Sequence, residues 1–231
     1  MNNTAIHLQE LKKKMLSYAD LKDTPVIECE EVMTPLIDQA IKGMSIKQIG
    51  SDMQPISGNA IYVRQGVKKR LNEVTKSLNK NGYTLQVVYG YRSLDIQQRL
   101  YDQHYAALQT TYRDVDELIE ATHQYIAVPD VAGHPTGGAV DVQIIKDGAP
   151  LDFGTKIWEF CDDSMTYTAN ISSLAKKNRH LLRSLMMSQG FAPFDGEWWH
   201  FSYGDKEWAT YYSQPHAIYS QLQTNNAIPM A

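Results

Sequence analysis

The chain has 231 residues, 43% of them hydrophobic and 21% charged, which is enough apolar material for a substantial core in one large domain or one domain with an extension. A formal net charge of −4 and a pI near 6.0 exclude a protein organised around the phosphate backbone of nucleic acid; the basic cluster Lys68–Arg70 reads as the wet side of a helix. Cys29 and Cys161 lie far apart with no CxxC spacing, which excludes a disulfide framework, and they are expected as packed thiols.

In chain order, Ile6, Leu8, Leu11, Met15 and Leu16, interrupted by Glu10 and three lysines, predict an amphipathic first helix. It lacks the continuous apolar region of a signal peptide, so residence in the cytoplasm is expected. No apolar run approaches the roughly 20 residues that span a bilayer. Residues 21–61, with Pro25, Pro35 and Pro55, read as largely irregular chain wrapping a core, with a short helix near residues 33–42. Val63, Val67, Leu71, Val74 and Leu78 then follow helical spacing over 62–80, and Asn81-Gly82 supplies a left-handed stop.

The segment 84–91 is rich in β-branched and aromatic residues and predicts a strand with Arg92 at its end. Ser93 caps a helix over 94–108, and a second helix follows over 115–125. Two prolines and three glycines make 128–138 a loop, while 139–145 alternates into another strand closed by Asp147-Gly148. Ser172 or Ser173 begins a helix ending at Gly190, with Leu174, Leu181, Leu182, Leu185 and Met186 as its apolar positions. Residues 191–194 and 198–203 predict two short β segments around a turn at Asp195-Gly196. Tyr203, Tyr211, Tyr212 and Tyr219 make a tyrosine-rich tail that either covers the core or forms a subunit contact.

Helices mixed with short strands, without a regular βαβα rhythm, predict an α+β domain with a small, mainly antiparallel sheet and helices packed on one side. The expected division is an N-terminal helix and wrapping segment (1–60), a core (61–210), and a tail packed on or extending from it (211–231).

Two segments carry chemistry: AGHPTGGAVDV with His134 and Asp141, and DGEWWHFSYGD with Glu197 and His200. Two imidazoles and a carboxylate suffice to bind one zinc ion and leave its fourth position open for water, as in catalytic rather than structural sites. Glu197 and His200 are three apart and cannot point to the same side of an ideal strand. The arrangement expected therefore puts Glu197 in a turn, folded back over the metal as general base and later acid, with His200 on the strand. Arg92 is the expected oxyanion stabiliser, because a guanidinium is always charged and gives fixed donors. Gly137-Gly138 would let a substrate backbone come close. Trp198 and Trp199 read as core and pocket walls. His7, His104, His123, His180 and His216 have no matching partner pattern and read as ordinary histidines.

These residues resemble the pattern of the zinc D-alanyl-D-alanine dipeptidases and their D,D-carboxypeptidase relatives, a group related to lysostaphin and to hedgehog-type zinc domains. That family carries H-x6-D with internal Gly and Ala, matched by His134, Gly137, Ala139 and Asp141. It also carries E-x-[WH]-H, matched by Glu197, Trp198, Trp199 and His200. The segments YVRQGVKKRL, GYRS around Arg92, FGT at 153–155 and NRHLLRSLMMSQGF extend the likeness over roughly residues 60–208. The resemblance implies zinc on His134, Asp141 and His200, Glu197 as acid/base, Arg92 as transition-state stabiliser, and a small peptidoglycan-derived dipeptide of D-configuration as substrate. Ala132, Tyr89 and Trp158 stand where the family commonly has Ser, Asp and the Asp of Pro-Phe-Asp. Two other functions stay open: a D,D-carboxypeptidase trimming longer wall peptides, and a zinc-stabilised binding domain without catalysis.

Overall fold

The computed structural model describes residues 10–13, 15–38, 41–223 and 228. In chain order the strands are β1 (Met33–Leu36), β2 (Met44–Ile46), β3 (Ile61–Arg64), β4 (Thr84–Tyr89), β5 (Ala139–Lys146), β6 (Ala149–Pro150), β7 (Ala192–Pro193) and β8 (His200–Ser202). The helices are α1 (Tyr18–Leu21), α2 (Gln54–Ser57), α3 (Gln65–Asn79), α4 (Leu94–Leu108), α5 (Val115–His123), α6 (Ser173–Ser188) and α7 (Lys206–Tyr211). The main sheet runs β2-β4-β5-β8-β7, with β6 paired to β5, and β1 pairs with β3 in a separate ribbon. Only β2 and β4 are parallel, so the sheet is mainly antiparallel and the fold is α+β. No helix among the described residues is long and apolar enough to cross a membrane.

Alternation along β5 divides the sheet into two chemically different faces. Val140, Val142 and Ile144 point into the main core with Leu85 and Val87 of β4, Val67, Leu71, Val74 and Leu78 of α3, and Leu182 and Met186 of α6. Asp141 and Gln143 fall on the other face, where Gln143 donates to Gln86 at 2.7 Å. There α4 packs through Ile96 in a second cluster with Met53, Tyr89 and Tyr91. Tyr219 is 1% exposed and lies in the main core, so the tail covers the core through this ring.

Capping explains where the helices begin. Ser93 accepts from the Ile96 amide, Asp114 from Glu117, Ser172 from Ala175 and Asp205 from Trp208, each satisfying an orphan amide of the first turn.

Several expectations are corrected. Of the predicted first helix, residues 1–9 and 14 lie outside the described residues; 10–12 are helical, and Ser17 caps the separate short helix α1. The segment at 33–36 is a strand rather than a helix: it pairs antiparallel with β3, Met33 opposite Arg64 and Leu36 opposite Ile61, and an edge strand tolerates the missing donor of Pro35. The same pairing takes 62–64 out of the predicted helix, so α3 starts at Gln65. Along α6, Leu174 is 59% exposed, and the buried face includes Arg179 at 0%. That guanidinium donates to the carbonyls of Phe153 and Met165 at 2.7 and 2.6 Å, so the helix turns a cation inward to tie down the loop before it. Cys29 and Cys161 are exposed rather than packed.

A second buried cation, Arg64, binds the outer segments together. It donates to both carboxylate oxygens of Glu28 at 3.1 and 3.0 Å, to the carbonyls of Glu31 and Ser220, and to the carbonyl of Thr136 at 2.8 Å. Ser220 returns two hydrogen bonds to Glu28. Removing the guanidinium strands a carboxylate and three carbonyls. Arg64→Met is therefore expected to lower stability by about 3 kcal/mol or more, read as a fall in the urea midpoint at unchanged slope; a change under about 0.5 kcal/mol would show that the network contributes little.

Candidate metal centre and active site

Three neighbouring strands carry the centre of the site as one cross-strand row, with Asp141 of β5 opposite both Tyr89 of β4 and His200 of β8. Between Val87 and Tyr89 the β4–β5 register slips, leaving Val88 as the extra residue of a bulge. The bulge brings Tyr89 onto the face of Asp141. His134 arrives from outside the sheet on a 3₁₀ turn, His134–Thr136, that Gly137 ends in the left-handed region at φ 73°. Gly137 and Gly138 do not border the cavity. A Cβ on Gly137 would meet the Met33 sulfur, and one on Gly138 the Tyr203 carbonyl, so these glycines serve internal packing rather than substrate approach.

One nitrogen of His134, one of His200 and an oxygen of Asp141 lie within 4.8 Å of one another. His134 Nε2 is 3.5 Å and His200 Nδ1 3.1 Å from Asp141 Oδ1. Each donor's other end is engaged. His134 Nδ1 lies 2.8 Å from the Gly90 carbonyl, to which it donates, so Nε2 keeps its lone pair for a metal. Asp141 Oδ2 accepts from the Trp158 indole at 2.8 Å. His200 Nε2 lies 3.8 Å from Glu207 Oε2. This donor set fits zinc: two nitrogens and a carboxylate oxygen, each oriented by an outer partner.

The charges follow from burial. Burial lowers the pKa of His134, which keeps it in the neutral form a metal needs. Burial alone would raise Asp141, but His134 and His200 hold it well below the usual carboxylate range. Burial opposes the His200 cation, yet its hydrogen bond and charge interaction with Asp141 prevail and raise it to about 9. A metal at this nitrogen competes with that proton. Burial pushes Glu197 up to about 7 and Glu207 up to about 8.

Glu197 sits in a turn, its amide bonded to the Phe194 carbonyl and its carbonyl to the His200 amide, so the turn precedes the strand that carries His200. Arg92, His134, Asp141, Glu197 and His200 all border one cavity of about 350 Å³. Arg92 is held from three sides. Its Nε donates to the Tyr89 hydroxyl at 3.1 Å, one terminal nitrogen donates to Gln97 Oε1 at 3.0 Å, and Asp52 Oδ2 is 3.8 Å from Nε. Tyr89 in turn donates to Asp52 at 2.6 Å. Asp52, Gln97 and Glu207 were not singled out by the motifs as parts of this site, and Trp158 was singled out only as a departure from the family's Pro-Phe-Asp. Gln97 carries a weak signal, one turn into the helix that Ser93 caps behind Arg92, whereas Asp52 and Glu207 have none.

Three donors with an open side, next to a partly buried carboxylate and a fixed guanidinium, define a metal-dependent hydrolase site. The sequence profile of Peptidase M15, described as D-ala-D-ala dipeptidase, matches residues 49–221. A D-alanyl-D-alanine dipeptidase of Synechocystis sp. is 30% identical over 86% of this chain and 92% of its own length. One of Enterococcus faecium is 27% identical over 69% of this chain and 83% of its own. Among solved structures, the LD-carboxypeptidase LdcB aligns over 81% of this chain and 74% of its own at 20% identity, with a TM-score of 0.47. The chain belongs to the Peptidase M15 D-Ala-D-Ala dipeptidase family and is a zinc metallopeptidase.

If Trp158 fixes Asp141 for the metal, Trp158→Phe lowers zinc affinity about 10- to 100-fold, measured by competition with a chromogenic chelator. Unchanged affinity would make the indole a packing group only.

Proposed function

We propose that the protein hydrolyses D-Ala-D-Ala or a closely related D,D-dipeptide. The observation that carries this reading is the meeting of His134, Asp141 and His200 with Glu197 and Arg92 around one cavity. Membership of the dipeptidase family supports the substrate class. A chain segment laid against the cavity favours short substrates: Leu16 and Leu21 form part of its wall, and the amides of Tyr18 and Ala19 anchor that segment on the Glu120 carboxylate at 2.9 Å each.

His134, Asp141 and His200 would hold the zinc, which when bound polarises a water and the scissile carbonyl. Glu197 takes a proton from the attacking water as its oxygen bonds to the carbonyl carbon. Arg92, kept in place by Tyr89, Gln97 and Asp52, faces the oxygen that becomes negative, where fixed charge in a dry site is most effective. Glu197 then passes its proton to the leaving amine as the C–N bond breaks, and two free amino acids result. A carboxyl raised to about 7 suits both transfers at neutral pH, since a group near the working pH can accept and return a proton.

Purified protein is expected to release D-alanine from D-Ala-D-Ala, to lose this on chelation and to regain it with zinc; bound zinc without turnover on any D,D-dipeptide would refute the reading. Glu197→Gln is expected to keep zinc while kcat falls about 10²–10⁴-fold. Because the base must be ionised, kcat/KM is expected to decline as pH drops through about 7, with a limb missing from the residual activity of that variant. Arg92→Met is expected to cost about 10²–10³ in kcat with zinc content unchanged, and a variant altered only in KM would assign the guanidinium to substrate binding instead.

A further inference from the structure

The loop that carries His134 lies off the sheet, so its backbone carbonyls need partners from elsewhere. Those of Gly133 and His134 accept from the amides of Thr136 and Gly137 within the turn, and Arg64 takes the Thr136 carbonyl. Three more are closed by two residues of the C-terminal tail. The Leu222 amide donates to the Pro135 carbonyl at 2.8 Å, and the Gln221 side chain donates to the carbonyls of Pro129 and Ala132 at 3.4 and 3.3 Å. Pro135 is buried and follows the metal donor His134 directly in the chain.

Leu222 also reaches a second part of the site. Its carbonyl accepts from the Tyr91 hydroxyl at 3.0 Å, and its side chain packs with Met53, Tyr89, Tyr91 and Ile96. Tyr91 is buried and immediately precedes Arg92, whose guanidinium donates to the Tyr89 hydroxyl. One tail residue therefore holds the turn of His134 with its amide and the segment of Arg92 with its carbonyl. These two elements touch each other as well, through the His134 imidazole on the Gly90 carbonyl at 2.8 Å and the Arg92 amide on the His134 carbonyl at 3.3 Å. The tail braces that junction from behind, since Tyr91, Gln221 and Leu222 do not border the cavity.

We propose that Gln221 and Leu222 form a clasp that sets His134 relative to Arg92, and that both, with Tyr91, are positioning residues for metal binding and for turnover. They act through the turn and the segment after β4. A site of this kind tolerates little error in placement: a shift of about 1 Å can cost about 10²-fold in rate, and loss of an outer partner typically costs about 10- to 100-fold in metal affinity. The effect on the metal stands on the donor geometry alone, whereas the effect on turnover rests on the dipeptidase reading.

The test uses the full-length protein. It measures zinc affinity by competition with a chromogenic chelator, the visible absorption of the cobalt(II)-substituted protein, and kcat and KM on D-Ala-D-Ala. Leu222→Pro, which removes the amide donor, is expected to weaken zinc about tenfold and to alter the cobalt bands. Gln221→Leu is expected to weaken zinc as well, and it decides the matter if the proline variant does not fold; Gln221→Lys, which can still donate, is expected to restore the affinity. Tyr91→Phe, which keeps the ring and loses the hydroxyl, is expected to lower kcat at saturating zinc about tenfold with KM little changed. A tail that only holds the fold together would lower the urea midpoint of these variants while the folded protein kept its zinc affinity, cobalt spectrum and kcat, and that result overturns the proposal. If zinc-loaded wild type turns over no D,D-dipeptide, the dipeptidase reading fails by itself, and the zinc and cobalt measurements still decide the clasp.

Discussion

A single carboxylate, buried at the centre of a sheet, sets the terms for everything around it. Asp141 is 2% exposed, and an ionised group in that position is tolerable only if its oxygens are saturated by donors or positive charge. One oxygen faces His134 and His200, and the other takes the Trp158 indole. Those three partners come from a 3₁₀ turn, a neighbouring strand and the loop that follows the Asp141 strand. The cost of burying the charge is thus offset by the residues that a catalytic metal requires, and binding chemistry and folding are one problem at this point.

Two buried arginines extend this logic outward. Arg179 fastens the carbonyls of Phe153 and Met165, which flank the loop bearing Trp158. Arg64 fastens the carbonyl of Thr136, at the end of the turn bearing His134. Each guanidinium supplies several donors in a rigid fork, which suits the task of satisfying carbonyls that belong to no helix or sheet. The turn that presents His134 and the loop that presents Trp158 are therefore each held by a cation, whereas Asp141 and His200 sit on paired strands.

The candidate metal donors that the fold brings together were legible because two short stretches contain all of them, and because a ligand set is a chemical pattern that does not depend on packing. The helices with clear caps, α4 and α6, were legible for a similar local reason. What was not legible depends on partners distant in sequence. Met33 to Leu36 looks helical until β3 is beside it, and the inward face of α6 takes in Arg179 along with Leu182 and Met186 because carbonyls of another segment accept from that guanidinium. Tyr89 stood out in the sequence only as a departure from the family's Asp, and the bulge at Val88 sets its hydroxyl against Asp52 and Arg92. Asp52 and Glu207 are single acids whose surroundings exist only in three dimensions.

The glutamate–arginine–serine tie joins residues 28, 64 and 220, and its Glu28–Ser220 hydrogen bonds close a separation of 192 positions. Closures of that length form late, because a long loop must be ordered before its contacts return any stabilisation. During synthesis, the turn carrying His134 leaves the ribosome well before the tail that completes its support. The turn that presents His134 thus gains its last support from the far end of the fold, through the Glu28 and Ser220 contacts of Arg64.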